Sequence, residues 1–251
     1  FPVGRFDLFG YSVDIDATGN RIVVGSPDSS GMAGTAYLFQ LDERGWQQHG
    51  EIIRSSLNEA QLGRSVSVSS SGTIVSAGGQ YGAQIYYDAG IEGPTTLELE
   101  GFTQVGDIIG GKMQGTTFIA SSISGDGTTV AVGAREKSGD IIVRVLFFDP
   151  ATGWAQIGND ITGKGSIDAV GKSIALSKTG QMVVVGFYNE ACDAGENCGH
   201  VRVYTFAANT WNQVGQDIVG TTDQGFLGWS VAMSNDGLTV AAGAPISHGD
   251  D

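Results

Sequence analysis

A pair of glycines recurs five times along this chain at nearly constant spacing. The first glycine of each pair is Gly19, Gly72, Gly127, Gly180 or Gly237, and the second follows six residues later as Gly25, Gly78, Gly133, Gly186 or Gly243. Successive copies are therefore 53 to 57 residues apart. A self-similar period of about 40 to 50 residues or slightly more is typical of propeller blades, in which each copy is one small sheet.

Apolar residues alternate before the first glycine of a pair and run continuously after it. In the first copy, Val13 and Ile15 precede the glycine and residues 22–24 follow it. Alternation predicts a strand with one buried face, and a continuous apolar run predicts a strand buried on both faces. A third strand follows in each of the first four copies. A fourth begins with an aromatic residue in the pattern aromatic-x-Gln-x-Gly, at Trp46, Phe102, Trp154 and Trp211.

These elements predict an all-β fold, a β-propeller of four-stranded antiparallel blades with 53–57 residues per repeat. We expect one domain over residues 1–251, with repeats at about 8–53, 61–109, 113–162, 169–219 and 226–251. The fifth repeat has only its first two strands. A closed ring must complete every blade, so we expect either a longer protein or a second chain to supply the missing strands. Gly115 lies three residues farther from its turn than the matching glycines do, which predicts a bulge or a longer loop before the first strand of the third repeat.

The net charge limits the classes of partner. The chain has 27 acidic and 13 basic residues and a formal net charge of −14. This charge repels phosphate backbones, so neither nucleic acid nor an anionic membrane surface is an expected partner. No apolar run approaches the roughly 20 residues of a membrane-spanning helix, so no membrane span is expected.

The two cysteines lie in one loop. Five residues separate Cys192 from Cys198, which fits neither a CxxC redox motif nor a four-ligand zinc site. We therefore predict a local disulfide. Disulfides persist in oxidising compartments, which favours a secreted, extracellular location.

Several segments resemble the FG-GAP repeat, the blade unit of integrin α-subunit propellers and of many secreted bacterial and algal proteins. The resemblance rests on Phe9-Gly10 with residues 25–27, and on Leu227–Val231, Val240–Pro245 and Gly199–Tyr204, and it extends over nearly the whole chain. It implies a non-enzymatic extracellular module for binding or structural assembly, with a protein, glycan or matrix partner or with itself. The alternative that it implies is a calcium- or glycan-dependent adhesion receptor.

Some hairpins of that family carry a calcium loop with several spaced aspartates. Here the first repeat keeps two spaced carboxylates, Asp14 and Asp16, while the other repeats have serine at the second position. Calcium takes six to eight oxygen ligands, several of them usually carboxylate. With two carboxylates, two interpretations of Asp14 and Asp16 remain open: a calcium site, or a pair of side chains that faces solvent.

Motifs for catalysis are missing from the sequence. The three histidines have no partners at metal-ligand spacing, and no nucleophile elbow or phosphate-binding loop is present. We therefore expect no enzyme and no cofactor. The less favoured alternative is a polysaccharide-acting enzyme whose loop carboxylates converge at the propeller axis.

Candidate binding residues lie in the loops that differ between repeats. They are Asp28, Glu136, Asp193, Glu196, Asp223, Trp229 and Asp250. Trp229 is the aromatic candidate, because other repeats have Tyr11, Arg64 or Lys172 in its position and a variable position indicates exposure. The recurrent fourth-strand aromatics are interpreted instead as packing between neighbouring sheets rather than as a sugar-stacking surface.

Overall fold

A computed structural model describes residues 7–88, 102–109, 117–135, 141–163 and 170–246. Within these ranges the chain forms five antiparallel sheets and one four-residue helical turn, α1 (Ser29–Met32). The all-β prediction is thereby confirmed. In the part of the chain that the structure describes, no helix has the length and apolar character needed to cross a membrane.

Four sheets have a simple up-and-down order, in which strands adjacent in sequence are adjacent in space. The first sheet contains β1 (Ser12–Ile15), β2 (Arg21–Ser26), β3 (Thr35–Asp42) and β4 (Gly45–Arg54). The second contains β5 (Ser65–Val68), β6 (Ile74–Gly79), β7 (Gly82–Asp88) and β8 (Phe102–Gln104). The third contains β9 (Thr117–Ile123), β10 (Thr129–Arg135), β11 (Ile141–Asp149) and β12 (Gly153–Gln156), and β13 (Ile161–Thr162) also pairs with β11. The fourth contains β14 (Val170–Leu176), β15 (Met182–Phe187), β16 (His200–Ala207) and β17 (Thr210–Val219).

The fifth sheet has two strands in the described residues, β18 (Ser230–Met233) and β19 (Val240–Gly243). Of the two alternatives predicted for the third repeat, a bulge or a longer loop, the described residues contain a bulge. The register of β9 against β10 shifts between the pairs Ala120–Gly133 and Phe118–Ala134, which leaves one residue of β9 without a partner.

The first glycine of each pair makes the hairpin turn between the first two strands of its sheet. The five turn glycines have φ between +68° and +76°, a left-handed conformation that glycine adopts without a steric cost. A side chain three residues earlier stabilises the turn. In the second sheet, Ser69 Oγ accepts a hydrogen bond from the N–H of Ile74 at 3.1 Å.

The second glycine of the pair lies where two sheets touch. A Cβ atom on Gly25 would lie 2.0 Å from the carbonyl oxygen of Gly63 in the next sheet. A Cβ atom on Gly186 would lie equally close, 2.0 Å, to the carbonyl oxygen of Gly228. No larger residue fits at these two positions, so the glycine pair encodes both the turn and the contact between sheets.

The first strands of successive sheets lie side by side in the order β1, β5, β9, β14 and β18. Side chains of each strand accept hydrogen bonds from backbone N–H groups of the next. These bonds are Val68 N to Asp14 Oδ2 at 2.8 Å, Ile123 N to Ser67 Oγ at 2.8 Å, Leu176 N to Ser122 Oγ at 3.3 Å, and Val231 N to Ser173 Oγ. The described sheets are therefore joined edge to edge through these five first strands, which are called the inner strands below.

Apolar side chains fill the space between neighbouring sheets, and the first sheet has one face that no described sheet covers. Val66 and Val68 of β5 are each 7% exposed because the first sheet packs on them. The matching residues of β1, Val13 and Ile15, are 64% and 51% exposed. The described sheets thus form an open arc.

Candidate functional site

The inner strands line an open groove, here called the axial groove, with a volume of about 950 Å³. Its walls carry backbone groups, small apolar side chains and nine serines. Among the described residues that line it, Asp14 is the only acidic side chain and Arg64 the only basic one. Two aromatic residues, Tyr11 and Trp229, also line it. The groove therefore combines many hydrogen-bonding groups with one charge of each sign.

Asp14 occupies a position that serine occupies in the next two repeats. Its Oδ2 accepts the N–H of Val68 at 2.8 Å, as Ser67 and Ser122 do for the strands that follow them. Its Oδ1 accepts the N–H of Ile15 at 2.9 Å. Burial raises the pKa of Asp14 above the ordinary value of 3.8, and these two hydrogen bonds only partly oppose the shift.

Asp16 belongs to the hairpin rather than to the groove. Its carboxylate accepts the N–H groups of Asn20 and Arg21 at 2.9 and 3.0 Å and the hydroxyl of Thr18 at 2.6 Å. Burial alone would raise the pKa of Asp16, but these hydrogen bonds outweigh it and the pKa is lowered. The structure thus gives Asp14 and Asp16 different partners, and a calcium site formed by the two stays a prediction.

Trp229 is exposed, as its variable position in the repeats predicts, and it lines the groove. It is 42% exposed and packs against Tyr188, with ring centroids 5.0 Å apart, and against Phe226, with centroids 6.3 Å apart. Tyr11 and Arg64, which share its position in other repeats, line the same groove. Part of the groove wall is therefore made of the side chains that differ most between repeats.

The predicted disulfide joins Cys192 to Cys198, with Cα atoms 5.8 Å apart. Its loop pairs with the connection that leads to the fifth sheet, through hydrogen bonds from Gln224 N to Glu196 O at 2.9 Å and from Leu227 N to Cys198 O at 2.8 Å. Asp193, Glu196 and Asp223 are exposed on these two loops.

The other loop candidates lie apart from this pair of loops. Asp28 lies in the loop between β2 and β3, where its Oδ1 accepts a hydrogen bond from the side-chain amide of Gln61 at 3.1 Å. Glu136 and Asp250 lie outside the described residues. The binding role of all the loop candidates stays a prediction.

A second polar cluster lies in the fourth sheet, where it is formed by residues of β16, of β17 and of the loop between β15 and β16. Glu190, His200 and Asp217 each have one possible metal-ligand atom, and these atoms lie within 4.8 Å of one another. The guanidinium of Arg202 already lies among the carboxylates, at 2.9 Å from Glu190 Oε1 and 2.7 Å from Asp217 Oδ2. A hydrogen bond from Arg202 is the main cause of the lowered pKa of Asp217.

This arginine–carboxylate pairing recurs in the third sheet, where Arg144 Nε is 3.0 Å from Asp160 Oδ1. In both sheets the aspartate also accepts the side-chain amide of the recurrent glutamine, at 2.8 Å from Gln156 and 2.7 Å from Gln213. Because the arrangement repeats and the cation is already supplied by arginine, we interpret it as part of the scaffold.

Sequence reasoning overlooked Arg64 as a site residue. The available signal is the repeat position that Arg64 shares with Trp229, because a position that varies between repeats indicates exposure for either residue. The Arg202 cluster also escaped notice, because its members come from a loop and two strands.

No family model matches this chain, and no curated protein matches it. Among solved structures, it is similar to a proposed 6-phosphogluconolactonase from Bacteroides uniformis, with a TM-score of 0.54, 13% identity, and coverage of 84% of this chain and 55% of that one. It is similar to the periplasmic gluconolactonase PpgL of Pseudomonas aeruginosa, with a TM-score of 0.53, 16% identity, and coverage of 84% and 54%. It is also similar to Sqt1 from Chaetomium thermophilum, with a TM-score of 0.57, 16% identity, and coverage of 95% and 56%.

The chain thus spans about 55% of the length of these structures. At such low identity the likeness concerns the fold alone. It still corrects one expectation of the sequence analysis. The expected function, a non-enzymatic binding or assembly module, is wrong as an inference from this architecture, because two of the matched structures bear lactonase names. The FG-GAP resemblance itself is not tested by these matches.

Proposed function

We propose that this chain builds a β-propeller hydrolase that opens a lactone or another small ester in the axial groove. The open arc of edge-joined sheets supports the propeller architecture, and the lactonase-like folds support the reaction class. The disulfide between Cys192 and Cys198 supports a secreted location as part of the same proposal.

Asp14 is the observation that carries the proposal. Two of the other first strands use serine at its position for the same hydrogen bond, so a carboxylate is not needed to join the strands. Its presence leaves one acid in a groove where, among the described residues, no other acid stands. Because the pKa of Asp14 is raised, it lies closer to neutral pH, and a general base works best when its pKa is near the pH of the reaction.

The reaction balances with Asp14 as the only proton carrier. As a carboxylate it accepts a proton from water while the water oxygen forms a bond to the ester carbonyl carbon. The ring carbon–oxygen bond then breaks, and the leaving oxygen takes the proton from the Asp14 carboxylic acid. One water is consumed, one hydroxy acid forms, and Asp14 is regenerated.

The groove lining suits a small polyhydroxylated substrate. Serine hydroxyls and backbone groups of the inner strands offer hydrogen bonds along its length. Tyr11 and Trp229 add aromatic faces, which pack against the C–H faces of sugar rings. These contacts bind and orient the substrate, and Asp14 performs the proton transfer.

The test compares Asp14→Ser with the wild-type protein on a panel containing glucono-δ-lactone, a γ-lactone and p-nitrophenyl acetate. Serine supplies the acceptor found at Ser67 and Ser122, so the variant is expected to fold, which circular dichroism checks. Asp126→Ser is the matched control, because Asp126 accepts hydrogen bonds within the hairpin turn of the third sheet and does not line the groove.

We expect Asp14→Ser to lower turnover by a factor of about 100 or more, in line with the loss of a general base, and Asp126→Ser to leave it unchanged. Turnover is followed as proton release after subtraction of spontaneous hydrolysis. A folded wild-type protein that hydrolyses none of the three substrates would overturn the proposal. Turnover by Asp14→Ser at the wild-type rate would overturn it as well.

A further inference from the structure

Arg64 differs from the other arginines that the sheets shield from solvent. Arg21, Arg144 and Arg202 are each paired with an aspartate, at 2.9, 3.0 and 2.7 Å. Arg64 is half-buried, and no carboxylate of the described residues pairs with its guanidinium. A half-buried charge without a partner costs solvation free energy, and a bound anion would recover part of that cost.

The position of Arg64 is also suitable for contact with a ligand. Arg64 lines the axial groove, and its position in the repeat carries Tyr11, Lys172 or Trp229 in other repeats. Nothing in the scaffold therefore requires an arginine there. A guanidinium forms two parallel hydrogen bonds with a carboxylate or a phosphate, which gives both affinity and orientation.

We propose that Arg64 is a specificity-determining residue that binds an anionic group, carboxylate or phosphate, of the substrate. This inference rests on the proposed hydrolase function and names its substrate class, a lactone or ester that also bears a negative charge. The acidic character of the whole protein, −14, makes a local cation necessary for such a substrate.

The repeat positions also set the distance between the anion and the reacting bond. Arg64 lies three residues before Ser67, the counterpart of Asp14 on the neighbouring strand. At about 3.3 Å per strand residue, the backbone of Arg64 is displaced from that of Ser67 by up to roughly 10 Å along the chain direction. Arg64 and the counterpart of Asp14 therefore stand at different points along the groove, which separates the anionic group from the carbonyl that water attacks.

The test measures equilibrium binding in the Asp14→Ser background, where the inference does not depend on turnover. The probes are glucose 6-phosphate, glucuronate and neutral glucose, titrated by calorimetry at low ionic strength. Arg64→Gln is the variant. Arg54→Gln is the matched control, because Arg54 is exposed at the end of β4 and does not line the groove.

We expect at least one anionic probe to bind more tightly than glucose, and Arg64→Gln to weaken that probe at least tenfold while Arg54→Gln leaves it unchanged. Tighter binding of glucuronate assigns a carboxylate group, and tighter binding of glucose 6-phosphate assigns a phosphate. Equal binding of charged and neutral probes, or equal affinity in Arg64→Gln and its parent, would refute the inference.

The two proposals fail separately. Asp14-dependent hydrolysis of lactones, together with equal affinity of the anionic probes for Arg64→Gln and its parent, would remove the anion subsite and leave the hydrolase. Arg64-dependent binding of an anionic probe, with no loss of turnover in Asp14→Ser, would remove the role of Asp14 and leave the subsite.

Discussion

The indole Nε1–H of Trp211 donates a hydrogen bond to the carbonyl oxygen of Ile157 at 3.0 Å, across the boundary between the third and fourth sheets. Trp154 makes the same bond to Val105 one boundary earlier, also at 3.0 Å. The glycine after each accepting residue lies beneath the indole, and a Cβ on Gly158 would come within 2.8 Å of Trp211. The aromatic-x-Gln-x-Gly pattern is therefore a device that joins sheets, as the sequence analysis interpreted it.

Trp211→Phe should lower the free energy of unfolding by about 2 kcal/mol, because it leaves the Ile157 carbonyl without its donor and removes part of a buried ring. Trp211 is 4% exposed, whereas Trp46, at the equivalent position of the first sheet, is 42% exposed. Trp46→Phe should stay within about 0.5 kcal/mol of wild type. Urea denaturation measures both, and equal effects of the two changes would contradict this account.

The disulfide should stabilise the fourth sheet and its connection to the fifth. Closing so short a loop is worth about 2 kcal/mol in the chain-entropy model. We expect the double change Cys192→Ser and Cys198→Ser to lower the unfolding free energy by about that amount. Dithiothreitol should lower the thermal midpoint of the wild type but not of the double variant, and a wild-type midpoint that does not respond to the reductant would argue against the prediction.

Arg202→Met should be strongly destabilising, by about 3 to 5 kcal/mol, because it removes the guanidinium that pairs with the 5% exposed side chain of Glu190. Arg44→Met is the control. Arg44 pairs with Asp42 at 2.8 Å, but its side chain is 79% exposed, so its removal should cost less than about 1 kcal/mol. Chemical denaturation of the two variants decides, and a small effect of Arg202→Met would show that the cluster is not a structural element.

The lowered pKa of Asp217 predicts a specific acid dependence. The folded state holds this carboxylate as an anion, chiefly through the hydrogen bond from Arg202, so its pKa lies below the ordinary 3.8. The resulting stabilisation is present above the unfolded-state pKa and is lost as the pH falls through the folded-state pKa. Wild type should therefore be more stable than Asp217→Asn at pH 7, and the gap should shrink below about pH 4. A gap that is constant with pH would contradict this.

Asp14 should show the opposite dependence, because burial raises its pKa in the folded state. The folded protein binds the proton more tightly than the unfolded chain, so stability from this residue increases as the pH falls through the raised pKa. Serine can accept the same hydrogen bond from the Val68 N–H without placing a charge in a partly buried position. Asp14→Ser should therefore be more stable than wild type at pH 7, and the advantage should disappear towards about pH 4. Thermal unfolding across this range tests it, and a less stable variant at pH 7 would speak against it.

Features repeated within the chain were predictable because their causes are local. The φ of a turn glycine such as Gly72, at +76°, and the bond from Ile74 to Ser69 involve residues close in sequence. The disulfide was predictable for the same reason, since Cys192 and Cys198 lie in one loop. Recurrence then separated scaffold from individual positions, and it correctly marked Trp229 as exposed.

The candidate site depended on relationships that no local pattern contains. Asp14 accepts a hydrogen bond from Val68, 54 residues later, and this neighbour exists only because two sheets lie edge to edge. Arg64 had the same sequence signal as Trp229, but only the folded groove shows that no carboxylate of the described residues pairs with it.

The repeat, its strands and turns, the all-β class and the disulfide can be read from the amino-acid order, because each follows from the conformational preferences and hydrophobic pattern of a few consecutive residues. The shared groove of Asp14, Arg64 and Trp229, and the place of Arg202 among carboxylates from separate elements, emerge only in the folded molecule. The difference lies in the range of the interactions. Electrostatic and solvation effects act through space between groups that the fold brings together, and residues about one repeat apart carry no record of that proximity in their spacing.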